Sequence, residues 1–167
     1  MKNESAAPNR QPVRFERTYD GPVDDLWDLW TTKDGFESWW GPEGFRVEVH
    51  ALEAREGGAL HYDMIADAPA MIAAMKQMGR PVSHQTRGRF AEVKPHRRLA
   101  ITHVIDFLPE VTPYESTIAV EFFPSPGSVR MVVHMDPMHD EEFTKMSTMG
   151  FASQLTKLDR RFGAEKS

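Results

Sequence analysis

A chain of 167 residues has the size of one domain around a single hydrophobic core, with little room for a second lobe. Its 20 basic and 25 acidic residues leave a net charge of −5, and no basic cluster interleaves with aromatics, which argues against a nucleic-acid surface. The absence of cysteine excludes disulfides, thiolate nucleophiles and cysteine-based zinc sites.

The opening MKNESAAPNRQP is polar, with Pro8 and Pro12 breaking any regular element, and is expected to be a disordered tail over residues 1–12. No apolar stretch follows Lys2 and no run of about 18 apolar residues occurs anywhere, so neither a leader nor a membrane span is expected and the cytoplasm is the natural compartment. Val13, Phe15, Arg17 and Tyr19 alternate with Arg14, Glu16 and Thr18, the period of a half-covered strand ending near Asp20. Gly21-Pro22 turns the chain into a helix with Pro22 in its first turn, Asp24 and Asp25 near the positive dipole end, and Val23, Leu26, Trp27 and Trp30 on one face. A second short helix runs from Lys33 to about Trp40, where Gly41-Pro42 stops it just after two tryptophans.

Extended patterns then dominate. Strands are predicted over 46–53, 59–65, 84–93, 99–108, 114–123 and 128–135, punctuated by hairpin-type turns such as Arg55-Glu56-Gly57-Gly58 and Pro124-Ser125-Pro126-Gly127. With the first strand this makes seven, and so long a meander must curl or be covered. The stretch 69–78 interrupts it with Met71, Met75 and Met78 at helical steps, closed by Gly79 and Pro81. That extra helix caps the open end of the sheet as core, lies as a lid over a ligand, or does both, since thioether side chains adapt to variable apolar shapes. From Asp140 to Phe162 a long amphipathic helix carries Phe143, Met146, Phe151, Leu155, Leu158 and Phe162, acidic residues in its first turn and basic ones in its last. The expected architecture is α+β: one domain over 13–163, with a curved seven-stranded antiparallel sheet wrapped on the C-terminal helix, two short helices after strand 1, and a tail over 164–167.

The PVDDLWDLWTTKDGFESWWGPEGF block, the EAREGGALHYDM turn and the FAEVKPHRRLAITH strand pair, with Gly88 to Leu99 reading G-x-F-x-E-V-x-P-x-x-R-L, resemble the START-like (SRPBCC) superfamily. Within it they are similar to the branch named after the heat-shock-protein ATPase activator homologues. The resemblance spans residues 15–162 and implies a helix-grip fold enclosing a cavity in which members carry lipids, polyketides, hormones or other hydrophobic molecules. The Met-rich insert departs from the shorter connection of that family.

Seven histidines are present, but none forms a compact ligand pair such as H-E-x-x-H, so no metal and no cofactor are expected. His103 shares a face with Leu99, Ile101, Ile105 and Phe107 and is the best inward histidine; a buried imidazole satisfied by a neighbour is its plainer role. His134 and Glu121 alternate outward, Glu92 sits beside a turn, and no G-x-S-x-G elbow activates Ser147 or Ser153. Arg87 and Arg89 flank Gly88 and could hold a ligand carboxylate, although strand arginines are usually solvated. Trp39 or Trp40 could pack on a ligand while the other fills core. The expected cavity lining is Trp39, Trp40, Tyr62 and Met64, with Met71, Met75 and Met78 from the insert, then His103 and Met149.

Two functions follow. The leading one is binding of a hydrophobic or amphipathic small molecule in an internal cavity; the other is an enzyme of the cyclase, dehydratase or hydrolase kind, with an inward His or Tyr moving a proton. Modulation of a chaperone ATPase is suggested by the branch name alone, and those activators carry a separate chaperone-binding domain for which this length leaves no room. Homodimerisation through an edge strand or the exposed face of the insert is compatible with the pattern.

Overall fold

The computed structural model describes residues 11–106 and 110–162, together with the backbone of 165–166. Strand β1 (Val13–Asp20) follows the alternation, with Tyr19 fully buried and Arg14 outward. Pro22 stands at the N-cap of α1 (Val23–Thr31) rather than inside its first turn, and the helix buries Leu26, Trp27, Leu29 and Trp30. Thr32 then caps α2 (Lys33–Glu37) by accepting the Gly35 N–H at 3.0 Å. This helix ends before the expected Trp40, yet Trp40 N–H still reaches Phe36 O at 3.0 Å, so both indoles are swung inward by one last turn. Gly41 follows at φ 98°, a left-handed conformation that glycine adopts without strain.

The sheet is antiparallel throughout. Strands β2 (Phe45–Leu52), β3 (Ala59–Ala66), β4 (Ser83–Lys94), β5 (Arg98–Ile105), β6 (Tyr114–Ser125) and β7 (Ser128–Met135) each pair with the next, and β1 joins on β7. Within the expected C-terminal tail, Glu165–Lys166 pair with Arg17 and Thr18 as a two-residue β8. Strand β5 stops at Ile105, short of the expected Leu108; Phe107 and Leu108 lie outside the described residues. Register shifts between Val49 and Ala51 and between Phe90 and Glu92 add one residue to one side of a pair, which bends the sheet into a trough.

Helix α4 (Glu141–Phe162) fills that trough. Asp140 Oδ1 accepts Phe143 N–H at 2.8 Å and opens the helix, and Phe151, Leu155 and Leu158 are buried. Met146, expected on the apolar face, is instead 52% exposed. Two sets of polar contacts hold the helix in place. At its C-terminal half, Tyr19 Oη–H donates to Asp159 Oδ1 at 2.9 Å and Arg17 Nε lies 3.3 Å from the same oxygen. Along its middle, the loop after the tryptophan pair is clamped: Gly41 N–H to Gln154 Oε1 at 2.8 Å, Glu43 N–H to Ser153 Oγ at 2.9 Å, Arg160 to Glu43 Oε2 at 2.7 Å, and Lys157 Nζ to Phe45 O at 3.2 Å. Lys157 is half-buried there, and desolvation lowers its pKa.

The core sits between α1, α2, α4 and the concave face of the sheet. Trp30 is its centre, with the rings of Trp39 and Trp40 at 5.0 and 5.5 Å and Phe122 at 6.4 Å, all edge-on. Helix α3 (Pro69–Gln77) lies apart and buries no residue, which corrects the expectation that its methionines pack core. Its Met71 leans on Gly44, where an added Cβ would meet Met71 atoms at 3.5 Å. No helix among the described residues is long and apolar enough to cross a membrane.

Candidate functional site

Between α4 and the concave face of the sheet lies a cavity of about 200 Å³. Its floor follows from strand alternation and register. Tyr62 and Met64 on β3 stand opposite Thr86 and His84 on β4; His103 on β5 stands opposite Gly88 on one side and Ser116 on the other; Ile118 pairs with Met135. The roof is one face of α4, where Ser147, Gly150, Phe151 and Gln154 recur at three- and four-residue steps. Trp40 closes one wall.

A hydrogen-bonded relay crosses the floor. Trp40 Nε1–H donates to Tyr62 Oη at 3.0 Å, and Tyr62 Oη lies 2.9 Å from His103 Nε2. An indole nitrogen only donates, so the phenol accepts from Trp40, and the direction of its bond with His103 Nε2 is set by the imidazole tautomer. The indole and imidazole planes stack at 6.3 Å, and Phe36 backs Trp40 at 4.5 Å. Burial pushes the Tyr62 phenol well above its ordinary range and pulls the His103 imidazole down to about 4. Both groups are therefore neutral near pH 7, and moving the shared proton from phenol to imidazole is strongly uphill. His84 is also shifted down by burial, with Asp63 opposing.

Gln154 joins the roof to the wall. Only 4% exposed, it accepts the Gly41 N–H through Oε1, while its Nε2 has no hydrogen-bond partner among the described residues. Among the described residues no Lys, Arg, Asp or Glu lines the cavity. Among the described residues no group of three or more His, Asp or Glu is placed to hold a metal ion.

The sequence model described as Activator of Hsp90 ATPase homolog 1-like protein matches residues 20–163. The chain belongs to this family. No curated protein sequence matches it. Solved structures agree with the fold of this Hsp90-activator-homolog-like chain. A Chromobacterium violaceum protein is 21% identical with a TM-score of 0.69, covering 91% of this chain and 96% of its own. The AHSA1 protein of Silicibacter pomeroyi is 21% identical with a TM-score of 0.69, covering 90% and 96%. A Staphylococcus epidermidis protein is 17% identical with a TM-score of 0.70, covering 96% and 94%. At these identities the likeness concerns the fold alone.

Of the nine residues expected to line a cavity, this AHSA1-like fold brings Trp40, Tyr62, Met64 and His103 together. Trp39 does not reach it: 1% exposed, it donates its indole N–H to Leu29 O at 2.7 Å and packs on Trp30. Met71, Met75 and Met78 do not line it either, and Met78 is 62% exposed. Met149 points outward from α4 at 64% exposure, one residue off the cavity face that carries Gly150. Arg87 and Arg89 lie on the outer face of β4, paired with Asp106 and Glu115. Glu92 is held below the usual carboxylate range by its hydrogen bond from Arg98, the reverse of what an acid catalyst needs. The contributions that sequence reading missed come from β4, β6 and α4: His84, Thr86, Ser116 and Gln154. Alternation through Phe90 marks Thr86 and His84 as inward, and the i, i+3, i+7 spacing of Ser147, Gly150 and Gln154 marks one helix face, but polar residues on an apolar face do not announce a cavity.

Proposed function

We propose that this chain binds a small hydrophobic or amphipathic molecule in the cavity under α4 and does not transform it. The observation that carries this reading is the closed Trp40–Tyr62–His103 relay. Its donors and acceptors satisfy one another, its phenol is a poorer acid and its imidazole a poorer base than in water, and it presents aromatic surface to an occupant. The cavity-enzyme reading needs His103 as a base at neutral pH. An imidazole held near 4 and already hydrogen-bonded by Tyr62 suits that role badly. The Hsp90 activation in the family's description belongs to the protein after which the family is named.

Comparison of the native and denatured masses of freshly purified protein tests the reading, because a tightly bound ligand acquired during expression stays with the folded chain and is released on unfolding. A discrete mass released on unfolding is the expected result. A bare chain that also fails to take up any small aromatic probe in titration would count against it. A His103→Ala variant addresses the enzyme alternative: turnover of a candidate substrate lost far more than binding would favour catalysis.

A further inference from the structure

The Trp40–Tyr62–His103 relay uses one nitrogen of the imidazole and leaves the other outside it, and the inference drawn from that second nitrogen rests on the binding reading above. Register explains how the ring lies. Tyr62 is on β3 and His103 on β5, with β4 between them, and the β4 residue directly opposite His103 is Gly88. With no side chain at Gly88, the imidazole lies across β4 with Cδ2 beside the glycine and Nε2 at 2.9 Å from Tyr62 Oη. The opposite edge of the ring, Nδ1 and Cε1, is turned away from both contacts. His103 makes no other hydrogen bond among the described residues, yet Nδ1 is not one of the sealed-off polar atoms without a partner, which are Arg17 Nε, Trp30 Nε1, Gln154 Nε2 and Asp159 Oδ2. Nδ1 is therefore open to the cavity that the ring lines, in keeping with the 7% exposure of the residue.

Ser116 supplies a second group. It is the cross-strand partner of His103 on β6, and directly opposed side chains on one face of an antiparallel pair stand about 4.5–5.5 Å apart at Cβ. Ser116 lines the same cavity, its Oγ makes no hydrogen bond among the described residues, and it too is not sealed off. The floor around the two is apolar: Leu99, Ile101 and Ile105 share the face of His103, and Ile118, Val120 and Phe122 follow Ser116 on its own. Water entering the cavity can serve both polar atoms, and an occupant that displaces such water without reproducing its hydrogen bonds loses affinity. The kind of group that reproduces them follows from the pair. The second nitrogen of a neutral imidazole donates or accepts according to the tautomer, and a serine hydroxyl does either. A ligand hydroxyl, which gives one proton and accepts at its oxygen, answers both atoms in either tautomer, whereas a carbonyl or ether oxygen only accepts and answers both in one. Trp40 and Phe151, packed edge-on at 6.1 Å, offer aromatic surface in the same cavity.

We propose that the cavity recognises a hydrophobic molecule by a hydroxyl group, phenolic or alcoholic, seated between His103 Nδ1 and Ser116 Oγ while its apolar body lies against Trp40 and Phe151. His103 and Ser116 are the specificity-determining residues.

The probes para-cresol and toluene, which differ by one hydroxyl, test this by nuclear magnetic resonance titration of nitrogen-labelled protein. The expected result is that para-cresol binds about tenfold more tightly than toluene and moves the Nδ1 resonance of His103. His103→Gln sets an amide near the place of Nε2, which keeps a partner for Tyr62 and removes Nδ1, and Ser116→Ala removes Oγ alone. In each variant the preference for para-cresol is expected to fall to about threefold or less while toluene still binds. Should His103→Gln not fold, Ser116→Ala and the Nδ1 resonance of the unmodified protein carry the same test. Equal affinities for the two probes, a preference that survives in either variant, or a response at Nε2 with none at Nδ1 overturns this inference and leaves the binding reading standing. If neither probe binds, both fall.

Discussion

Gly88 faces His103 across the β4–β5 pairing so closely that a Cβ on Gly88 would come within 2.8 Å of Thr102 O and 3.4 Å of His103 Cδ2. The imidazole occupies the space that a side chain at position 88 would need. The glycine of the G-x-F motif is thus a steric condition for the Trp40–Tyr62–His103 relay. Gly88→Ala is expected to cost about 1–3 kcal/mol, because backbone and imidazole must both shift. Urea denaturation measures that loss, and the His103 ring resonances should move with it; an unchanged ring would show that the contact is relieved elsewhere.

His103 makes stability depend on acidity in a definite direction. Its folded pKa, about 4, lies below the ordinary 6.5, so as pH falls the unfolded chain takes up this proton first. The associated stability is complete above about 6.5 and is lost progressively as pH falls through about 4. At about 1.4 kcal/mol per unit the whole loss is on the order of 3 kcal/mol. His103→Gln keeps an acceptor for Tyr62 but cannot titrate. The stability difference between the parent and this variant, measured at pH 7 and pH 4, should therefore shrink in acid. A difference independent of pH would mean that the imidazole is not held neutral.

Gly150 is expected to separate stability from binding. Gly150→Ala should raise the stability of the empty protein by about 0.5–1 kcal/mol, since the helix gains propensity and the added methyl enters open space. The same methyl narrows the cavity that Gly150 lines, so affinity for a small aromatic probe should fall. Thermal and urea unfolding beside a titration read both effects, and a loss of stability would deny the open space.

Asp159 ties α4 to β1 through Tyr19 and Arg17, with side-chain exposures of only 11% for Asp159 and 18% for Arg17. Removing it strands a buried phenol and a guanidinium, so Asp159→Ala is expected to cost about 2–3 kcal/mol. Arg14→Ala, which breaks an ion pair to Glu16 with Arg14 half exposed, should cost under about 1 kcal/mol by the same denaturation assay. Equal costs would show that the Asp159 contact is not held in a desolvated geometry.

What the sequence determined by itself was the order of elements and the face of most of them. Period-two alternation put Tyr19 inward on β1 and His103 inward on β5, and the punctuation at Gly127 and Pro95 set hairpins that pair neighbouring strands. These properties are local, because a residue's face depends only on its neighbours' backbone geometry. The cavity is not local. Trp39 and Trp40 are adjacent and chemically identical, yet one gives its N–H to Leu29 O and the other to Tyr62, a choice made by where the chain turns at Gly41. Met71, Met75 and Met78 formed a stripe that looked like core or lid, but α3 docks through Met71 on Gly44 and leaves Met78 in solvent. Gln154 shares a helix face with Ser147 and Gly150, but that spacing announces no cavity. Its role depends on a Gly41 amide 113 residues away, and only the tertiary packing of α4 into the curled sheet brings the two together and leaves one amide donor unanswered.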